Sequence, residues 1–306
     1  MFRNIFTIFF VLASLATTYA QGSLLNAKKV DQTGKKSTQQ TAEDKAGPLP
    51  YKYVADRDIL WSTIVWENID FNQKFNFPYH FPIDSVNALV SADRRSLYDN
   101  LMKGITKDEI INYYDDSELK SLLTKEEVIA KTVKKIVPVY GDDYDEEEEG
   151  PKKSEAYEYI YNSEVTGLRV KGIWFFDKLQ GELRYRLLAL APLGPDIGLK
   201  GEDSDAIAEA GINVQKIIPL FWLYYPEVRD LLHRAKVFNP DNALHSISFD
   251  HMLNSRRFHS VIIRQENMYG NRSIKDYIPK NSLFQLLEAD KIKEGIRNKE
   301  MDMWNY

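Results

Sequence analysis

Residues Val170–Leu193 read VKGIWFFDKLQGELRYRLLALAPL, the densest apolar and aromatic run of the chain beyond its first twenty residues. The run predicts a β-hairpin. Side chains alternate along a strand, so Val170, Gly172, Trp174 and Phe176 share one face. Asp177-Lys178-Leu179-Gln180-Gly181 is short, mostly polar and closed by glycine, as a hairpin turn requires. On the return, Leu183, Tyr185, Leu187, Ala189 and Ala191 share a face. The other face starts polar with Glu182, Arg184 and Arg186 and turns apolar at Leu188 and Leu190, so the far end is covered on both sides. Pro192 is expected to end the second strand, because it has no donor for the ladder. The C-terminal half is expected to pack on this hairpin.

Downstream, Gly194–Gly211 reads as a polar loop and Ile217–Tyr225 (IIPLFWLYY) as a buried strand. Pro226 opens a helix at its preferred first position, with Glu227 at the start and His233, Arg234 and Lys236 near the end, as the helix dipole favours. Ser248 caps a short helix holding Phe249, Met252 and Leu253. The last helix opens on a capping box, Ser282 with Gln285, and carries Leu283, Leu286, Leu287, Ile292 and Ile296. With the strand-like Tyr157–Val165, residues 156–306 read as an α+β domain built on an antiparallel sheet.

Upstream of the hairpin lies an acidic run. Asp142, Asp143, Asp145, Glu146, Glu147, Glu148 and Glu149 repel one another and predict a solvated linker over 141–155. Residues 51–140 read as a mainly helical part. Asp58–Asp70 (DILWSTIVWENID) places Leu60, Trp61, Ile64, Val65 and Asn68 on one helical side, with Trp66 turned away to cover a neighbouring element rather than a partner subunit. An aromatic loop, Phe71–Pro82, must bury its rings somewhere. A helix is expected from about Val86 to Ile105. Thr106 with Glu109, and Thr124 with Glu127, each match a capping box, the second opening a helix that ends near Ile136. Gln21–Pro50, rich in Lys, Gln, Thr, Ser and Gly, reads as a disordered arm. The fold class is therefore α+β, a helical N-terminal part followed by an antiparallel-sheet part with packed helices.

Bulk properties narrow the function. The chain has 306 residues, 43% hydrophobic and 28% charged, which suits a globular protein with a core. Aromatics reach 12%, which leans towards assembly. The formal charge is −5, and without the seven acids of the run it would be +2, so the acidity is local. No basic footprint for nucleic acid is present. Residues 1–20 read as a secretory signal: Arg3, the apolar Ile5–Ala16, and Thr18-Tyr19-Ala20 before a cleavage point. There is no cysteine. An exported chain of this composition folds without disulfides, carries no lipoprotein anchor of its own and has no thiolate to use in catalysis.

Other chemistry is equally thin. His80, His233, His245, His251 and His259 form no HExxH pattern, and His245 and His251 are spaced wrongly to share a helix face. There is no Gly-x-Ser-x-Gly elbow, phosphate loop or dinucleotide fingerprint. Asp203-Ser204-Asp205 lacks the later residues of a calcium loop. Tyr113-Tyr114-Asp115-Asp116 reads as helix termination or capping. We therefore expect no catalytic, cofactor-binding or metal-binding residue.

One resemblance runs along the chain. It rests on ILWSTIVWENID with its aromatic loop, VKGIWFFD over 170–177 leading to Leu190-Ala191-Pro192, LFWLYYPEVR over 220–229, and Val237-Phe238-Asn239-Pro240. Ser248-Phe249-Asp250 and the ending from Ile292-Lys293-Glu294 to Asp302-Met303-Trp304-Asn305-Tyr306 complete it. In these segments the chain resembles the gliding-motility protein N family, GldN or PorN, of the type IX secretion system, over roughly residues 51–306. The acidic run has no counterpart in that pattern. The resemblance implies a periplasmic structural subunit at the inner face of the outer membrane. Such a subunit forms a ring with itself and a GldK/PorK-type outer-membrane lipoprotein, meets GldM/PorM-type periplasmic domains, and touches the membrane only through partners. It implies no enzyme activity and no cofactor.

Overall fold

A computed structural model describes residues 47–83, 95–136, 156–198, 217–237, 247–268 and 270–303. The first twenty residues, the arm up to 46, the acidic run 142–149, Asp203-Ser204-Asp205 and His245 lie outside the described residues. The described residues from Pro50 onward gather into one compact unit.

Among the described residues the strands are β1 (Ile59–Asp70), β2 (Tyr113–Tyr114), β3 (Leu122–Leu123), β4 (Val133–Ile136), β5 (Ala156–Tyr159), β6 (Gly167–Asp177), β7 (Glu182–Pro195), β8 (Ile217–Pro219), β9 (Leu223–Tyr224) and β10 (Val261–Gln265). The helices are α1 (Phe77–His80), α2 (Leu97–Thr106), α3 (Lys125–Ala130), α4 (Tyr225–Arg234), α5 (Phe249–Asn254), α6 (Ile274–Tyr277) and α7 (Ser282–Met303). The class is α+β. The main sheet runs β10-β1-β6-β7-β8, with β9 also on β7, and every pairing is antiparallel. Two small hairpins, β2–β3 and β4–β5, stand beside it.

The central hairpin forms as its residues dictate. β6 and β7 pair from Gly167↔Leu193 to Asp177↔Glu182, and Gly181 closes the turn with φ 64°, in the left-handed region glycine favours. Two details differ from the reading above. Strand β7 runs through Pro192 to Pro195; Pro192 still contributes its carbonyl, which accepts the Leu220 N–H at 3.0 Å. A bulge at Leu188 also shifts the register, Lys171 pairing with Ala189 but Gly172 with Leu187. One extra residue exchanges the faces. Leu187 and Leu190 therefore enter one core, while Ala189 and Ala191 enter another on the opposite side.

The expected helix over Asp58–Asp70 is strand β1, paired with β6 along its length and with β10 over Val65–Asn68. It lies inside the sheet with both faces covered, so its apolar residues form a near-continuous run that also matches a helical stripe. Its β-branched and tryptophan content is the propensity that wins. Trp66 does cover a neighbour within the chain, at 2% exposure.

The first Thr-x-x-Glu box opens no helix. Thr106 instead ends α2, its hydroxyl donating to the Met102 carbonyl at 2.8 Å. The second box is real, with Thr124 and Glu127 bonded reciprocally, but α3 stops at Ala130 and the chain enters β4. Ser248 caps α5 as expected. The last helix is capped one residue earlier than read, Asn281 Oδ1 accepting the Phe284 N–H at 3.1 Å.

Three apolar clusters organise the unit. The largest lies on one face of the sheet, where Ile69, Leu168, Val170, Leu187 and Leu190 meet side chains of α1, α2, α4 and α5. On the same face, further along β1 and β6, Val65 and Trp174 meet Ile274 of α6 and Ala289, Ile292 and Ile296 of α7. On the opposite face Trp66, Ala189, Ala191 and Trp222 gather under the β2–β3 hairpin.

Candidate functional site

The residues weighed for chemistry are scattered. His80 is half-buried against the Phe71 and Phe81 rings, at centroid distances of 5.5 and 5.0 Å, and burial lowers its pKa. His233 is half-buried in α4, whereas His251 and His259 are exposed. Tyr113-Tyr114-Asp115-Asp116 neither ends nor caps a helix. Tyr114 exchanges backbone hydrogen bonds with Trp222 at 2.9 and 2.7 Å. Asp116 Oδ1 accepts the Lys120 and Ser121 N–H groups, each at 3.0 Å, which fixes the turn between β2 and β3. Slight desolvation pushes that carboxyl up, but the backbone donors outweigh it and hold its pKa below the usual range. Among the described residues no three His, Asp or Glu converge as metal ligands. The apolar crevice between Phe71, Leu101, Leu168 and Pro192 is too narrow to admit a water molecule, against the roughly 300 Å³ where small-molecule sites begin.

The buried ionic groups answer one another. Glu67, at 1% exposure in the middle of β1, accepts Arg256 in a two-pronged pair at 3.1 and 2.8 Å and also the Ser260 hydroxyl. The Arg256 guanidinium lies over the rings of Tyr185, Trp174 and Phe258, at 4.1, 4.9 and 5.0 Å. Arg256 takes φ 51° just past the end of α5, where its N–H donates to the Leu253 carbonyl at 3.2 Å and the Arg257 N–H to the Met252 carbonyl at 3.0 Å, closing the helix. Gly172 makes the arrangement possible. A Cβ there would fall 2.1 Å from the Tyr185 hydroxyl oxygen, so the tyrosine ring occupies the space above the glycine.

A second network joins α4 to α5. Asp250 Oδ1 accepts the Tyr225 hydroxyl at 2.8 Å, Arg229 Nε at 2.9 Å and Asn254 Nδ2 at 2.9 Å. Tyr51 donates to Asn254 Oδ1 at 2.6 Å and stacks between Arg229 and Arg186. Burial pushes its phenol up to about 12 and raises Tyr225 further, so both stay neutral and neither serves as a general base. On the opposite face Lys171 and Arg264 converge on Glu118, at 3.0 and 3.1 Å, and both lie over the Trp66 ring. These groups tie layers together.

The surface tells more. In the first turns of α7, Leu283, Phe284, Leu286 and Leu287 are 62%, 56%, 45% and 52% exposed, and Tyr277 beside them is 44% exposed. The sequence reading grouped the three leucines with Ile292 and Ile296 as the apolar residues of this helix. The core-facing residues are Ala289, Ile292 and Ile296, and the leucines turn away. The aromatic loop likewise buries only part of itself. Phe71 and Tyr79 are enclosed, whereas Phe75, Phe77 and Phe81 remain 63%, 38% and 36% exposed. An apolar patch of this kind marks an interaction surface more often than a solvated one. Its signal in the sequence is the run Leu283-Phe284-Gln285-Leu286-Leu287, apolar around more of the helix than one buried stripe uses.

Among the described residues no helix is long and apolar enough to cross a membrane. A family model described as gliding motility associated protein GldN matches residues 54–305. No curated protein matches the chain.

Proposed function

The chain belongs to the GldN family of gliding-motility-associated proteins, and from that premise we propose that it is a structural, non-enzymatic subunit of a periplasmic ring. Family membership associates it with gliding motility and type IX secretion. In the finer reading, residues 1–20 direct export, and an outer-membrane lipoprotein of the GldK/PorK type holds the mature chain at the inner face of the outer membrane. Self-association builds the ring, and GldM/PorM-type periplasmic domains meet it.

The family match over 54–305 carries this reading. Two features of the molecule support it. The buried carboxylates Glu67 and Asp250 are bound to Arg256 and Arg229, as suits scaffolding. Large apolar side chains stand exposed on α7 and on the aromatic loop, as suits a subunit made to be covered. The test is to extract the protein from membranes with and without the lipoprotein partner and to size the particle. A large annular complex that dissolves into free subunits on deletion of the lipoprotein is the expected result. A permanent monomer in the presence of the lipoprotein, or membrane association that survives its deletion, contradicts the proposal.

A further inference from the structure

We propose that Arg169, with Lys171 and Arg264 beside it, is a binding site for a carboxylate brought by an acidic segment of a partner protein. The three cations stand on the face of the main sheet that carries Trp66. Trp66 of β1 pairs with Lys171 of β6 on one side and with Arg264 of β10 on the other, and two residues along β1 Asn68 pairs with Arg169. Alternate residues of a strand share a face, so Arg169 stands next to Lys171 and diagonal to Arg264.

The acids nearby leave Arg169 unanswered. Glu118 is shared by the other two cations, Oε2 accepting Lys171 at 3.0 Å and Oε1 accepting Arg264 at 3.1 Å. Asp276 of α6 also acts on Arg264, but its carboxylate accepts the Ser273 N–H at 2.8 Å. Asp70, two residues beyond Asn68, accepts the Asn72 N–H at 2.9 Å. Among the described residues the polar partner of Arg169 is the Asn68 amide oxygen, which accepts its Nε at 2.9 Å. Burial, and then the like charge of Arg264, lower the Arg169 pKa. A guanidinium nevertheless stays charged, and a half-buried cation without a counter-ion costs stability that an added anion restores. The indole under Lys171 and Arg264 adds to the surplus of donors, since the buried Trp66 Nε1–H has no acceptor.

The unused part of Arg169 selects the ligand. With Nε on Asn68, the Nη1–Nη2 end of the fork is left, and its two parallel N–H groups match the two oxygens of one carboxylate. Glu118 shows that the neighbouring cations already accept this group. One ion pair at a partly exposed arginine is worth little by itself. The occupant therefore has to bring further contacts, as a protein segment does and a free ion does not. The site stands whether or not the ring reading holds.

Fluorescence anisotropy of a labelled hexaglutamate peptide, titrated with the purified protein, tests the site. Binding is expected at low ionic strength and is expected to weaken as salt is added. Arg169→Gln is expected to weaken it about tenfold or more. Arg57→Gln, at a side chain 88% exposed near the other end of β1, is expected to leave it unchanged. The thermal midpoint supplies a second readout. Arg169→Met removes the unanswered charge and keeps the aliphatic stem, so the midpoint is expected to stay or rise. A wild type that ignores the peptide overturns the proposal, and so does an equal loss in Arg57→Gln, the mark of diffuse attraction. A fall of several degrees in Arg169→Met also overturns it, by assigning the side chain to the fold. Inorganic phosphate binding that Arg169→Gln abolishes, in a chain that does not bind the peptide, assigns the site to phosphate and overturns the acidic segment. Failure of ring extraction leaves these results standing, and their failure leaves the ring untouched.

Discussion

One face of the main sheet is sealed twice, and the two seals are unlike. At one end four helices press on it, and Leu101, Ile105, Phe221, Tyr225, Leu232, Phe249 and Leu253 are all 0% exposed. At the other end, α7 and the short α6 provide the cover, and only Ala289 and Ile296 of the 22-residue α7 are buried. Between the ends stands Glu67, two residues from Val65 of one cluster and two from Ile69 of the other, bound to Arg256. Leucine and phenylalanine occur on both sides of that ion pair with opposite fates. The first end has the packing to be the source of stability. The second has the surplus apolar surface to be a source of contacts.

The contrast is sharpest under truncation. Phe249→Ala at the first end should cost about 3–5 kcal/mol in urea denaturation, whereas Leu283→Ala at the second should stay within about 0.5 kcal/mol, as for ordinary surface positions. Equal losses would erase the distinction. The boundary comes next. Arg256→Met strands a buried carboxylate and should cost about 3 kcal/mol or more, and adding Glu67→Leu should recover much of the loss. A double variant no better than the single would mean that the pair contributes more than mutual neutralisation. A smaller effect concerns Asp116, away from both ends. Its folded pKa is depressed, so its contribution is complete above the ordinary carboxylate range and is lost as pH falls through the folded value. Asp116→Asn should flatten the acid side of the stability profile below about pH 4, by less than about 1 kcal/mol given its exposure. The smallest effect belongs to the acidic run. Replacing residues 142–149 by glycine and serine should leave the thermal midpoint nearly unchanged, and a fall of several degrees would show that the run packs or holds an ion.

How much of this was readable follows from where each signal is written. The β6–β7 hairpin carries its instructions locally, in alternation on two arms and in Gly181 between them. β1 does not: covered on both faces, it has no period of two to display, and its apolar pattern fits a helix as well. The bulge at Leu188 is invisible because one unpaired residue leaves composition unchanged while moving every later side chain to the other face. In α7 two apolar stripes compete, and sequence cannot say which one meets the sheet. The Glu67–Arg256 and Arg229–Asp250 pairs join residues far apart in the chain, so no local pattern announces them. For the candidate surface the apolar run in α7 was noted, but exposure is a property of packing.

The β4–β5 pairing has a consequence for how the protein can vary. Ile136 and Ala156 are partners in that pairing, so the chain leaves and returns at the same place, with residues 137–155 between. Loop closure grows only with the logarithm of length, each doubling costing about 0.6 kcal/mol. A lineage can therefore lengthen, shorten or recharge this insertion almost without penalty to folding, while β4 and β5 keep its ends in register. The hairpin works as a socket, and what is plugged into it is open to selection on grounds other than stability.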